Sequence, residues 1–240
     1  MAYYVCSDIH GRYDRYLKLL ETIQLSAEDT LFVLGDVIDR NPDGLTVLQD
    51  IARRENVELF LGNHELFLYD SIAVNGDEFV TNEYWKSIWC SQNNGGAITF
   101  QAFQALDDEG KRQILHMIKN STLIRVLDVH GVRYHLSHSS TLPVLESDYY
   151  GFQDVPVEMA ESVVWKSVFR KGDYHFNRKK LDKNMQYIVG HVPVQRFTRG
   201  SGICRYHQVT DIDCGCAYPF LKGNRLACLR LDDMGEFYIE

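Results

Sequence analysis

At 240 residues, 45% hydrophobic and 24% charged, the chain has the size and apolar content of one large globular domain. Its net charge of −8 argues against a general binder of nucleic acid or anionic membranes, and no apolar run approaches the ~20 residues of a membrane span. The six cysteines are scattered and no basic-then-apolar leader opens the sequence, so reduced thiols and a cytoplasmic location are expected.

Residues 3–6 read as a short strand, and residues 12–24 carry a helical stripe at Tyr13, Tyr16, Leu17, Leu20 and Ile23. Leu31-Phe32-Val33-Leu34, closed by Gly35, reads as a buried strand of a parallel sheet. Pro42 and Gly44 punctuate a turn. A second helix follows at 45–55, with Leu45, Leu48, Ile51 and Ala52 inward, and a third strand at 57–61. Residues 65–120 read mostly helical, which predicts a helical cap-like insertion at about 66–120 within a single domain spanning 1–240. Residues 122–129 and 132–136, joined by Asp128-Val129-His130-Gly131, predict a hairpin. Later strands are expected at 186–189, 208–212, 226–231 and 237–239, and the polar, basic stretch 171–183 as a surface loop. The predicted fold class is α/β, two central mixed β-sheets packed together and flanked by helices.

The chemistry-bearing residues fall at strand ends. Apolar runs lead into Ser7-Asp8-Ile9-His10-Gly11, Gly35-Asp36-Val37-Ile38-Asp39-Arg40, Gly62-Asn63-His64-Glu65, Ser137-His138-Ser139 and Gly190-His191-Val192-Pro193. Open α/β sheets build their ligand sites just past the carboxyl ends of parallel strands. Asp8 and Asp36 are 28 residues apart, and Asp36 and Asn63 are 27 apart. That matches successive βαβ units of about 30 residues and puts three clusters side by side on one sheet edge.

Asp8 and His10, two apart on a segment taken as extended, would share a face and could hold one ion. Asp36 can bridge two cations through its two oxygens. Asn63 offers an amide oxygen, and His138 and His191 offer imidazole nitrogens. This mixed set without thiolates suits Mn, Fe or Zn better than a structural zinc site. Two divalent ions ~3.5–4 Å apart can stabilise both oxygens of an in-line displacement.

The succession Asp8-x-His10, Gly35-Asp36-x-x-Asp39-Arg40, Gly62-Asn63-His64-Glu65, His138 and Gly190-His191 resembles the phosphoprotein phosphatase (serine/threonine) family of calcineurin-like di-metal metallophosphoesterases. The resemblance covers nearly the whole chain in the family's motif order. It implies a metallophosphoesterase-like β-sandwich between helices and a phosphomonoester hydrolase with two divalent ions, Mn foremost and Fe or Zn as alternatives. One ion would take Asp8, His10 and Asp36, and the other Asp36, Asn63, His138 and His191. His64 would be the general acid, oriented by Asp39, and Arg40 would clamp the phosphoryl oxygens. The family's second phosphate-binding arginine follows a tryptophan. Here Arg170 stands at a shifted spacing after Trp165, with Lys166 as the competitor. Ser7 and Asn41 stand where the family has glycine.

Three functions follow. The first is dephosphorylation of phosphoserine or phosphothreonine in proteins, the partner being a phosphorylated protein or small phosphoester, with no nucleic acid and no membrane. The alternative within the same fold is a symmetrical dinucleoside-tetraphosphate hydrolase. Those relatives tend to lack the acid at 39 and to read Gly-Asn-His-Asp where this chain has Glu65. The third is a non-enzymatic metal-binding regulator. The remaining features read as structural: His116, His130, His135, His175 and His207 as ordinary histidines, and Tyr84, Trp85 and Trp89 as helical core. Cys214-Gly215-Cys216 reads as a tight turn rather than a redox or metal pair, and Arg178-Lys179-Lys180 as a solvated loop.

Overall fold

The structure, a computed structural model, describes residues 1–140, 146–167, 169 and 181–240. β1 (Tyr3–Cys6), β2 (Thr30–Val33) and β3 (Val57–Leu59) run parallel and adjacent, linked by α1 (Tyr13–Ile23) and α2 (Gly44–Ala52). β12 (Leu226–Arg230) adds antiparallel to β1, and β13 (Gly235–Ile239) to β12, giving the order β13-β12-β1-β2-β3. The second sheet is built from β6 (Thr122–Val129), β7 (Val132–Ser137), β8 (Tyr149–Gly151), β9 (Met185–Val189), β10 (Cys204–Tyr206) and β11 (Val209–Asp211). Its order is β10-β11-β9-β7-β6-β8, with β7, β9 and β11 parallel. Both sheets are mixed, as expected.

The apolar continuity of the first strands has a direct cause. Val5, Phe32 and Leu34 meet Tyr134, Leu136 and Ile188 of the second sheet. Their neighbours Tyr4, Cys6, Leu31 and Val33 meet Tyr16, Leu19, Leu45 and Leu48 on the helical side. A strand buried on both faces has no position left for a polar side chain.

Between β3 and β6 lie α3 (Asn63–Ser71), α4 (Glu83–Trp89), α5 (Ala97–Gln104) and α6 (Asp108–Lys119). A hairpin of β4 (Ile72–Asn75) and β5 (Glu78–Thr81) interrupts them, which corrects the helical expectation at 72–81. Asn75 pairs with Glu78, so Gly76 at φ +62° and Asp77 form the two-residue turn, with glycine at the first central position, which favours a left-handed φ. Trp89, Phe103, Ile114, Leu115 and Ile118 share one buried cluster with α1 and α2. Among the described residues, the short strands β8 and β10, helix α7 (Val157–Trp165) and the 3-10 turns Phe152–Asp154 and Val194–Arg196 had not been expected either. Of the loop expected at 171–183, residues 171–180 lie outside the described ones, including His175, Arg178, Lys179 and Lys180. Among the described residues no helix is long and apolar enough to cross a membrane.

Candidate active site

β1, β2, β3, β7 and β9 deliver the six candidate metal ligands one to four positions beyond their carboxyl ends, and His64, Asp39 and Arg40 follow five to seven positions beyond β3 and β2. Asp8, His10, Asp36, Asn63 and His64 are each 2% exposed, Asp39 and His138 are fully buried, and His191 is half-buried. The connecting backbone is irregular, with φ of 56° at Asp8, 48° at His10, 53° at Asp36, 73° at Asp39, 69° at Arg40 and 77° at His191. The extended geometry expected for Asp8 and His10 is therefore wrong, because β1 has already ended at Cys6. Both side chains still converge, with Asp8 Oδ1 3.9 Å from His10 Nε2.

Left-handed residues other than glycine are strained by roughly 1–2 kcal/mol each, so other contacts must hold these turns. The amides of Asp8, His10 and Gly11 donate to the carbonyls of Gly35, Asp36 and Val37 at 3.1, 2.9 and 2.7 Å. The buried Glu65 carboxylate accepts from the amides of Asp36, Val37, Ile38 and Gly62 at 2.8, 2.8, 3.2 and 3.0 Å. It thereby ties the end of β2 to that of β3. Gly190 passes so close that a Cβ there would stand 2.4 Å from Asp8 Oδ2. The two departures from glycine are also accommodated. Ser7 Oγ donates to Asp8 Oδ2, and Asn41 Nδ2 donates to the His10 carbonyl at 2.8 Å.

Donor atoms gather on both sides of Asp36. Its Oδ2 lies 3.7 Å from His10 Nε2 and its Oδ1 lies 3.5 Å from His138 Nε2. His10 Nδ1 donates to the Ile38 carbonyl at 2.9 Å, and His138 Nδ1 to the Leu34 carbonyl at 2.6 Å. In the neutral ring each Nε2 then carries a lone pair that points inward. His138 Nε2 faces Asn63 Oδ1 at 3.0 Å and His191 Nδ1 at 3.2 Å. Burial, then the charges of Arg40 and His64, holds the His10 pKa well below its usual value. Burial, followed by the charges of Asp8 and Glu65, raises that of Asp36. Lone pairs crowded together out of water are a donor set that cations would satisfy.

Among the described residues two compact groups could hold metal, His10 with Asp36 and His64, and Asp36 with His138 and His191. The first contains His64 where the motif resemblance put Asp8. Both nitrogens of His64 are occupied, since Nδ1 donates to Asp39 Oδ2 at 2.5 Å and Nε2 accepts from Arg40 Nη2 at 3.0 Å. Asp8 keeps Oδ1 turned to His10, so Asp8 is the better third donor.

Asp39 is held more firmly than its motif suggested. Its Oδ2 also accepts from Trp89 Nε1 at 2.6 Å, and its amide donates to Thr99 Oγ1 at 3.0 Å. The Arg40 amide donates to the Gly95 carbonyl at 3.2 Å. Trp89, Thr99 and Gly95 come from the stretch read as mostly helical, and neither spacing nor motif marked them as part of the site. Gly96 makes the Trp89 contact possible, because a Cβ there would meet Trp89 Nε1 at 2.2 Å.

A cavity of about 580 Å³ opens over Asp36, Arg40, Asn63, His64 and His191, walled by Asn93, Asn94, Trp165, Phe169, Arg196, Phe197 and Tyr218. A separate hollow of about 500 Å³ beside Tyr69, Asp70, His116 and Lys119 shares none of these residues. Arg170 lies outside the described residues, and Lys166 is exposed and away from the cavity lining. All six cysteines are free. Cys214 and Cys216 are buried around Gly215 at φ +74°, and burial pushes the Cys216 thiol up to about 12. Neither metal-capable group among the described residues contains a cysteine.

The architecture has solved counterparts. A candidate diadenosine tetraphosphatase superposes with a TM-score of 0.65 at 16% identity, covering 99% of this chain and 92% of its own. A serine/threonine phosphatase from Saccharomyces cerevisiae does so with a TM-score of 0.60 at 13% identity, covering 96% and 72%. These likenesses speak to the fold alone. By sequence, a symmetrical bis(5'-nucleosyl)-tetraphosphatase of Salmonella arizonae is 41% identical over 70 residues, 28% of this chain and 25% of that relative. The chain thus matches about a quarter of that relative's length, and the serine/threonine branch is not singled out. Residues 1–227 match the Calcineurin-like phosphoesterase family, and the chain belongs to that family of metallophosphoesterases.

Proposed function

We propose that the chain hydrolyses phosphate monoesters of aliphatic alcohols, with phosphoserine and phosphothreonine residues of proteins as the leading substrates. The observation that carries this reading is the 2.5 Å contact between His64 Nδ1 and the buried Asp39 carboxylate. An alkoxide is a strongly basic leaving oxygen, and a positioned proton donor contributes ~10²–10⁴-fold to its expulsion. A carboxylate on Nδ1 fixes the tautomer and supports a charged ring.

Calcineurin-like phosphoesterases bind two divalent ions, and the inward lone pairs around Asp36 fit them. Asp8, His10 and Asp36 would hold one ion, and Asp36, Asn63, His138 and His191 the other, with Mn preferred over Fe or Zn. When bound, the pair supplies an activated water and positive charge opposite the phosphoryl group. The chain's own residues do the rest. Arg40 presents a planar fork to two phosphoryl oxygens, a geometry suited to guanidinium. Turning to the phosphoryl group releases His64 Nε2, which Arg40 otherwise covers at 3.0 Å. Nε2 can then carry the proton delivered to the leaving oxygen, while Asp39 balances the imidazolium.

A second reading has its own support. The relatives matched by sequence are named as symmetrical tetraphosphatases, and these comparisons favour it over the phosphoprotein reading. The aromatic walls Trp165, Phe169, Phe197 and Tyr218 suit a nucleobase. Against it, a nucleoside diphosphate is a weakly basic leaving group that gains little from the Asp39–His64 pair. Turnover of a phosphoserine peptide, diadenosine tetraphosphate and nitrophenyl phosphate by Mn-loaded protein separates the two. Faster kcat/KM on the peptide than on the dinucleotide is expected, and the reverse order would overturn the first reading.

A further inference from the structure

We propose that Arg196 recognises a second anionic group on the substrate, beside the phosphoryl group met by Arg40. The inference rests on the phosphoester reading of the cavity and extends it to substrate class. Arg196 ends the single 3-10 turn Val194–Arg196 that follows His191. Val194 is buried and its amide donates to the Asp213 carbonyl at 2.9 Å, so the stem of Arg196 is anchored although its head is exposed. That head belongs to the cavity wall.

Two cations share one ring there. The guanidinium carbon of Arg40 lies 4.6 Å from the Tyr218 ring centroid, and that of Arg196 lies 5.3 Å from it. The two guanidinium groups are therefore no more than about 10 Å apart, roughly one Debye length. Tyr218 orients both through its ring face and neutralises neither, because burial pushes its phenol up to about 12. Among the described residues no carboxylate pairs with Arg196. Arg205, Arg225 and Arg230 each meet one, at Glu236, Glu240 and Asp233. Like charges held this close repel, and a ligand with one anion for each guanidinium relieves both. The substrate class is a phosphate ester that bears a neighbouring carboxylate or second phosphoryl group, because the guanidinium fork fits either.

The test uses the Mn-loaded full chain and two phosphoserine peptides whose flanking residues are either aspartate or asparagine. Wild type should prefer the aspartate peptide in kcat/KM by about two- to fivefold, carried by KM, as an exposed charge pair allows. Arg196→Gln should bring that ratio to one, and Arg196→Lys should keep part of it. A second arm compares diadenosine tetraphosphate with nitrophenyl phosphate, and pyrophosphate with orthophosphate binding by calorimetry. Loss of preference in the peptide arm alone assigns the carboxylate, and in the phosphate arm alone the second phosphoryl group. Failure of both peptides to turn over sinks the phosphoserine reading but leaves the phosphate arm to judge Arg196. Unchanged ratios in both arms of Arg196→Gln, or an equal loss on every ligand, would overturn the proposal.

Discussion

His64 Nδ1 lies 2.5 Å from Asp39 Oδ2, and Asp39 has no exposure to solvent. If that pair delivers the proton to the leaving oxygen, its value depends on how basic that oxygen is. His64→Asn should lower kcat on a phosphoserine peptide by ~10²–10⁴-fold and on nitrophenyl phosphate far less. Asp39→Asn should show the same bias at smaller size. Parallel kcat measurements on the two esters check it, and equal losses would assign His64 to phosphate binding instead.

Trp89 gives a finer test of the same pair. Its indole donates to the Asp39 oxygen that His64 also uses. Trp89→Phe keeps most of the apolar volume and removes one hydrogen bond to a charged group, a loss of about 1.5–3 kcal/mol. The expected result is a drop in kcat on the phosphoserine peptide of about tenfold or more, with KM and metal content preserved. A change in KM alone would place Trp89 in the substrate wall.

Asp36 faces His10 with one oxygen and His138 with the other. Asp36→Asn replaces one of those oxygens by an amide NH₂ and should empty both ion sites together. Elemental analysis should find metal per chain falling towards zero, whereas Arg40→Ala should leave it intact. Chelation should abolish wild-type turnover and Mn should restore it. Two ions bound per chain of Asp36→Asn would rule out the bridging arrangement.

His135 predicts an acid limb of stability. The ring is fully buried against Tyr187, and neither nitrogen has a hydrogen-bond partner in another residue among the described ones. Burial lowers its pKa to about 4, against ~6.5 in the unfolded chain. Between those values the unfolded state binds a proton that the folded state does not, so stability falls as pH falls through that window, by about 1.4 kcal/mol per unit. His135→Leu should remove this slope and gain about 2 kcal/mol over wild type between pH 7 and pH 5. Urea unfolding at both pH values reads it, and parallel losses in the two proteins would contradict it.

β1 and β2 were legible because burial on both faces leaves their centres wholly apolar; β3 admits Glu58 between Val57 and Leu59, held by Thr122 and Arg125, and the 27- to 28-residue spacing reported the adjacency of all three. The strand-end residues were legible for the same reason, since polar types right after such runs stand out. Other features depend on distance in the chain. Trp89 reaches Asp39 across 50 residues, and Arg196 and Arg40 meet over the ring of Tyr218. No local periodicity carries either contact. β4 and β5 turn on Gly76-Asp77, and as short, mostly exposed strands they carry no buried alternation to mark them in the sequence. The reach of Asp8 and His10 depends on two left-handed turns that residue spacing cannot express.

Those left-handed positions also act as a filter on which mutations can persist. Aspartate, asparagine, histidine and glycine tolerate positive φ better than other residues do. At Asp8, His10, Asp36, Asp39 and His191, though not at the equally left-handed Arg40, the backbone therefore favours the same few amino acids that can ligate a cation or move a proton. Drift to glycine at these sites relaxes the turn while erasing the chemistry, whereas drift to valine or isoleucine meets a steric barrier at once. An inactive descendant of this chain should accumulate glycine at its strand ends before its core begins to change.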